Sequence, residues 1–121
     1  IYPGTGRRDE RGVNNIVNIP LPANSGTAEL HHAWRQDIEP ALREFKPQLI
    51  LISAGFDAHR MDPLAGLNFT EGDYAWLTQR ILEVAAEFAQ GRVISALEGG
   101  YNLPALAAST AAHVKALMEA G

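Results

Sequence analysis

The chain has 121 residues, of which 46% are hydrophobic and 20% are charged, a composition typical of one globular domain. Fourteen acidic and ten basic side chains leave a formal net charge of −4, and the lack of a basic run argues against a nucleic-acid-binding surface. Because the sequence contains no cysteine, disulfides and thiolate metal sites are excluded, and a metal would have to bind through His, Asp or Glu.

The first part of the chain predicts a loop, a strand and a helix. Residues 1–14 are rich in Gly, Arg and Asn and predict a loop. Polar and apolar side chains alternate over residues 15–19, which predicts a short strand. Thr27 is the predicted N-cap of an amphipathic helix that continues to Phe45, and Pro40 is expected to kink or split that helix.

The second part alternates strands and helices. The predicted segments are a buried strand at 48–55, a loop at 55–70, a helix whose apolar positions run from Trp76 to Phe88, a strand at 92–97 and a helix at 103–118. Thr70 and Asp73 have the spacing of a capping box, and Gly91 is a natural helix stop. Pro104 falls in the first turn of the last helix, where proline is tolerated.

The order strand, helix, strand, helix, strand, helix predicts an α/β fold with a parallel sheet flanked by helices. We expect residues 1–121 to form a single domain, with no internal repeat or linker. Functional sites of such sheets lie beyond the carboxyl ends of the strands. Two loops occupy that position, at residues 55–66 and 98–103, and these are the places where chemistry is expected.

Asp57 and His59 lie in the first of these loops, at a spacing that lets two side chains share one side of an extended segment. They are candidate metal ligands, although Asp57 capping a turn and His59 lying in solvent would explain them equally. His31 and His32 are adjacent and could act as an acid–base pair, but adjacent helical positions point in different directions.

The second loop contains Gly99, Gly100 and Tyr101. Paired glycines let the backbone turn tightly and let a ligand approach the main chain. A tyrosine directly after them has a hydroxyl that can donate to a developing oxyanion. A strand-to-helix turn with an aromatic plug is the structural alternative.

Five motifs occur in order along the chain. They are Pro-Gly-Thr-Gly at 3–6, Asn-Ile-Pro-Leu at 18–21, Ser-Ala-Gly-Phe-Asp-Ala at 53–58, Asp-Pro-Leu at 62–64 and Leu-Glu-Gly-Gly-Tyr-Asn at 97–102. Together they resemble the C-terminal part of the zinc-dependent histone deacetylase family. That family includes bacterial histone-deacetylase-like amidohydrolases, acetoin-utilisation proteins and acetylpolyamine amidohydrolases, and the forms at 54–58 and 97–101 are similar to the class II and bacterial branch.

The resemblance implies an arginase/deacetylase fold, a three-layer α/β/α sandwich, and zinc-dependent hydrolysis of an acyl amide. By resemblance, Asp57 is one of three protein ligands of a catalytic Zn²⁺ ion, and Tyr101 hydrogen-bonds the substrate carbonyl. The residues that by the same resemblance line the substrate channel are Tyr2, Leu64, Gly99 and Gly100.

The family takes its other two zinc ligands from an Asp-x-His motif, and its acid and base from a tandem His pair, both upstream of the region that this chain resembles. His31, His32 and His59 do not match those positions. Since the chain also begins with Ile, we expect a C-terminal piece of a larger deacetylase domain, inactive by itself. Two alternatives are a degenerate member that only binds acylated ligands or protein partners, and a complete small binding domain with a weak metal at Asp57 and His59.

The expected partner is an acylated small molecule or a protein that carries acetyl-lysine, with no nucleic acid and no membrane. No apolar stretch approaches about 18 residues, the length needed to cross a bilayer, and no signal peptide is recognisable. A cytoplasmic location is expected. Because only part of the parent sheet would be present, we also expect an uncovered strand edge or apolar face and self-association of the isolated piece.

Overall fold

The computed structural model describes residues 3–120 and contains a two-stranded parallel sheet. Strand β1 spans Ile50–Ala54 and strand β2 spans Val93–Leu97, with Ile50 opposite Val93 and Ala54 opposite Leu97. One long helix lies between them in the chain, so the pair forms a strand–helix–strand crossover. Both strands were predicted, and because they are parallel, the loops that follow them meet at one edge of the sheet.

The first helical segment is α-helical at both ends and π-helical in the middle. Its parts are α1 (Thr27–Ala33), a π-helical turn (Trp34–Ile38) and α2 (Glu39–Phe45). Pro40 has no N–H, and in a regular α-helix its ring would crowd the carbonyl four residues earlier. A wider turn precedes it, in which the Glu39 N–H donates to the Trp34 carbonyl. The segment is not split at Pro40, since residues 27–45 stay helical, and the change in hydrogen-bond pattern lies just before the proline. The predicted N-cap is wrong, because Gly26 is the N-cap and Thr27 is already helical.

The two remaining helices are α3 (Glu71–Phe88) and α4 (Leu103–Glu119). The predicted capping box of α3 is present, since the Asp73 carboxylate accepts the Thr70 N–H at 2.8 Å. The same carboxylate accepts the Thr27 hydroxyl at 2.6 Å, and this bond connects the start of α1 to the start of α3. At the start of α4 the Asn102 side chain accepts the Ala105 N–H at 3.0 Å.

The strand predicted at residues 15–19 is wrong. In the part of the chain that the structure describes, this segment pairs with no other strand, and Ile16 and Val17 are 43% and 55% exposed. Alternating side chains describe a pleated segment, but a strand also needs a partner that accepts and donates its backbone hydrogen bonds. The sheet within residues 3–120 therefore has two strands rather than three.

The hydrophobic core lies between one face of the sheet and the helices. Its buried cluster consists of Leu30, Ala54, Phe56, Phe69 and Tyr74. Side chains on the other face point away from this core, and Leu51 and Ile94 are 69% and 58% exposed. The described residues thus leave one apolar face of the sheet uncovered, as expected, and the self-association that would follow from it stays a prediction. None of the helices within residues 3–120 is long and apolar enough to cross a membrane.

Candidate functional site

Two loops meet beyond the carboxyl ends of β1 and β2. The Glu98 N–H donates to the Ala54 carbonyl at 2.9 Å, and the Phe56 N–H donates to the Gly99 carbonyl at 2.8 Å. The pairing of the two strands therefore continues into the loops. This continuation sets Asp57 beside the segment that contains the paired glycines. Both loops lie beyond the carboxyl ends of the strands, as predicted.

The Asp57 carboxylate lies in a narrow space between two glycines. A Cβ atom on Gly99 would lie 3.3 Å from Asp57 Cγ and Oδ1, and a Cβ atom on Gly55 would lie 3.0 Å from Oδ1. Asp57 is half-buried, and its carboxylate accepts no hydrogen bond from another group in residues 3–120. Carboxylate oxygens without a donor from the protein are available to bind a metal ion.

Tyr101 follows a backbone conformation that only glycine tolerates. Gly100 has a φ of +142°, and a Cβ atom there would lie 2.7 Å from Leu106 Cδ1. The Tyr101 side chain is 58% exposed and its hydroxyl makes no hydrogen bond within the described residues. The phenol is therefore free to donate to a bound ligand.

Asp62 connects the two loops. The sequence placed it in the Asp-Pro-Leu motif but did not mark it as a site residue. Its Oδ1 accepts the Leu64 N–H at 3.0 Å and its Oδ2 accepts the Tyr101 N–H at 2.7 Å. Burial by itself raises the pKa of this carboxyl, but the backbone N–H groups of Leu64, Tyr101 and Asn102 outweigh it and the net pKa is lowered. The available sequence signal was the Asp-Pro-Leu spacing, in which an Asp commonly accepts the N–H two residues later.

His59 is not free to bind a metal together with Asp57. The ring is 2% exposed, its Nδ1 accepts the Met61 N–H at 3.1 Å, and its Nε2 lies 2.9 Å from Glu71 Oε2. The bond from His59 is the largest cause that lowers the pKa of Glu71. Both ring nitrogens are used inside the fold, and residues 3–120 contain no cluster of three or more His, Asp or Glu that could hold a metal ion.

The adjacent histidines do not act as a pair in the structure. The His31 ring stacks on Trp76 of α3, with 3.7 Å between ring centroids and 21° between the planes. His32 is exposed on α1. His31 therefore packs against α3 and His32 faces solvent, as expected for adjacent helical positions, which point in different directions.

Two buried polar groups lie behind the loops and were not singled out from the sequence. Burial raises the pKa of Tyr74, and the nearby Asp57 carboxylate raises it further. His113 on α4 is bonded through one nitrogen to Thr78 and through the other to Ser95, and burial lowers its pKa. These side chains form the polar part of the packing between sheet and helices.

The channel residues implied by the resemblance fall in three places. Gly99 and Gly100 lie in the second loop, next to Asp57 and Tyr101. Leu64 lies in the first loop, where its side chain is 68% exposed. Tyr2 lies outside the described residues.

The family model of the histone deacetylase domain matches residues 1–117. "Histone deacetylase 10, chloroplastic" of Oryza sativa subsp. japonica is 48% identical over 121 residues, covering 97% of this chain and 27% of that protein. A "probable deacetylase" of Archaeoglobus fulgidus is 41% identical over 107 residues, covering 85% of this chain and 30% of that protein. The crystal structure of the HDA15 HD domain matches with a TM-score of 0.86 at 36% identity, covering 98% of this chain and 34% of that one.

The parallel sheet, its helices and the loops at its carboxyl edge are those of an α/β domain with the arginase/deacetylase fold. The chain belongs to the histone deacetylase family. The resemblance stated from the five motifs is thereby confirmed. The chain spans 27% and 30% of the length of the two curated relatives described above.

Proposed function

We propose that this chain is the C-terminal part of a larger deacetylase domain, and that the full-length protein is a zinc-dependent deacylase. Its substrate class is an acyl amide, such as acetyl-lysine in a protein or an acetylated polyamine. The observation that carries the proposal is the Asp57 carboxylate, which lies between two glycines without a hydrogen-bond donor and next to the loop of Tyr101.

The residues of this chain fit one part of a zinc site. A catalytic zinc ion takes three protein ligands and keeps one position open. Asp57 supplies one oxygen donor, while both nitrogens of His59 are engaged elsewhere. The other two ligands and the proton acceptor are therefore proposed to come from the Asp-x-His motif and the tandem His pair upstream, and this chain is proposed to be inactive alone.

The remaining residues of the site orient the substrate. A zinc ion held there would polarise the amide carbonyl and acidify the attacking water. The Tyr101 hydroxyl donates to the same carbonyl oxygen as negative charge develops on it, an interaction that is stronger in the transition state than in the ground state. Gly99 and Gly100 leave room for the acyl chain beside the backbone, and Leu64 and Tyr2 are proposed to form channel walls.

The uncovered face of the sheet supports the larger domain. Leu51 and Ile94 are exposed although they lie on a β-strand face, where apolar side chains are normally packed. We propose that the rest of the domain covers this face, and that the isolated chain associates with itself through it. A cytoplasmic location is part of the proposal.

The test uses Tyr101→Phe in the full-length protein, with an acetyl-lysine peptide and an N-acetylated polyamine as substrates. The exposed hydroxyl makes no hydrogen bond in the described part of the chain, so we expect the stability to change by less than about 0.5 kcal/mol. Turnover should fall by about a hundredfold to a thousandfold, the usual loss for one oxyanion donor, with the zinc content unchanged. Unchanged turnover would remove Tyr101 from the mechanism.

A second variant, Asp57→Asn, tests the metal ligand directly. An amide is a far poorer zinc ligand than a carboxylate, so the purified variant should have lost most of its zinc, measured as metal per protein. Asp9→Asn, which alters an exposed aspartate paired with Arg7, is the matched control and should retain the metal. If the wild-type protein binds no zinc and hydrolyses neither substrate, the proposal is wrong, and a non-catalytic acyl-binding function replaces it.

A further inference from the structure

Asp62 is a buried carboxylate whose side-chain oxygens are held mainly by backbone N–H groups. The residue is 7% exposed, and its two oxygens accept N–H groups from Leu64 and Tyr101 at 3.0 and 2.7 Å. No Lys or Arg in residues 3–120 forms an ion pair with it. Hydrogen bonds to an ionised acceptor are about twice as strong as neutral ones, so this carboxylate holds both amides firmly.

The backbone before Tyr101 has little intrinsic rigidity. Two glycines precede it, and Gly100 occupies a conformation that L-residues rarely adopt. The Tyr101 side chain is 58% exposed, and its hydroxyl makes no hydrogen bond in the described residues. Between the Gly99 carbonyl, bonded to Phe56, and the cap of α4 at Asn102, the bond to Asp62 is the contact that holds the Tyr101 amide.

We propose that Asp62 is a positioning residue for Tyr101. By holding the Tyr101 N–H, it fixes where the phenol enters the site and keeps the hydroxyl within reach of the substrate carbonyl. The inference rests on the proposed function, because the hydroxyl has to act on a substrate for its position to matter. Through Leu64 the same carboxylate also fixes the proposed channel rim relative to the tyrosine.

The test is Asp62→Asn in the full-length protein. Asn has nearly the same shape but only one acceptor oxygen, and its NH₂ group would face one of the two N–H donors. We expect kcat to fall by about tenfold to a hundredfold, as for a misplacement of about 1 Å, with a smaller change in KM. Independently of activity, amide hydrogen exchange in the peptide that contains residues 99–102 should become faster.

Asp73→Asn is the matched control. Asp73 is 3% exposed and also accepts hydrogen bonds from two segments, through the Thr70 N–H and the Thr27 hydroxyl, but it lies at the start of α3. This variant should lose stability without faster exchange at residues 99–102. If Asp62→Asn does not fold, Asp62→Ser, which leaves space for a water molecule, takes its place.

The double variant with Tyr101→Phe separates positioning from general damage. If Asp62 acts through the Tyr101 hydroxyl, Asp62→Asn should have at most a twofold effect on kcat once that hydroxyl is absent. An equal loss of kcat in both backgrounds, or exchange at 99–102 that matches the wild type, overturns the inference. The proposed function fails separately, if Tyr101→Phe alone leaves kcat unchanged.

Discussion

Acid should weaken the fold through His113, a histidine whose burial disfavours the charged form of its ring. The Thr78 hydroxyl donates to the Tyr74 carbonyl at 2.6 Å and so accepts from His113 Nδ1 at 2.7 Å. In the neutral ring the other nitrogen, Nε2, is therefore unprotonated and accepts the Ser95 hydroxyl at 2.8 Å. The ring is 7% exposed, and burial holds its pKa below the ordinary value.

The variant His113→Phe keeps a ring of similar size but removes both hydrogen bonds. Ser95 then loses the partner of a partly buried hydroxyl, which costs about 1–3 kcal/mol, whereas Thr78 keeps its bond to Tyr74 and loses only about 1 kcal/mol. We therefore expect the variant to be about 2–4 kcal/mol less stable than the wild type at pH 7.5. Urea unfolding of the full-length protein measures this difference.

The difference in the free energy of unfolding between wild type and His113→Phe should become smaller as the pH falls. Because the pKa of His113 is lower in the folded state, the unfolded chain binds more protons once the pH falls below about 6.5. The stabilisation by neutral His113 is thus complete above that pH and is lost as the pH falls toward the folded-state pKa. Exposed His32, changed to Gln, is the control and should show no such narrowing. A stability difference that stays constant between pH 7.5 and 5.5 would refute the reasoning.

Three further substitutions in the full-length protein test other features. Gly99→Ala places a methyl group 3.3 Å from the Asp57 carboxyl carbon and should lower the zinc content of the protein. The thermal unfolding temperature should stay close to that of the wild type, and an unchanged zinc content would contradict the prediction. Gly100→Ala introduces a Cβ atom at a φ of +142° and 2.7 Å from Leu106 Cδ1. It should lower the free energy of unfolding by about 1–3 kcal/mol. A loss below about 0.5 kcal/mol would show that alanine is not strained at this position. Leu51 is 69% exposed in this chain, but the rest of the domain is proposed to cover it. Leu51→Asp should therefore lower the free energy of unfolding of the full-length protein by about 2 kcal/mol or more. A loss below about 0.5 kcal/mol, as for a surface substitution, would argue that the rest of the domain does not cover this face.

The helices and strands of the second half were predictable because their determinants are local. The apolar periodicity and the Thr70–Asp73 capping box lie within the segment that becomes α3, and both are seen. A short apolar run closed by Gly55 similarly marked β1. The strand predicted at 15–19 failed because strand formation depends on a partner, and alternation alone carries no information about one.

The candidate site was predictable only in part for a related reason. Asp57 and Tyr101 could be selected because each lies in the loop after a strand, and the two strands end at the same edge of the sheet. Asp62 could not, since its role depends on a backbone N–H that is 39 residues away in sequence. His59 shows the opposite case, because its spacing favours metal binding while burial and two local hydrogen bonds occupy its ring.

The π-helical turn at Trp34–Ile38 relates the number of residues in the first helical segment to the presence of Pro40. A turn closed from Trp34 to Glu39 contains one residue more than an α-helical turn, and the widening precedes a ring that a regular helix would not accommodate. Deleting a single residue there would restore the regular pattern and drive the proline ring against a carbonyl. The extra residue of the π-helical turn and Pro40 should therefore occur together among relatives. Relatives that are one residue shorter in this helix are expected to have another residue at the position of Pro40.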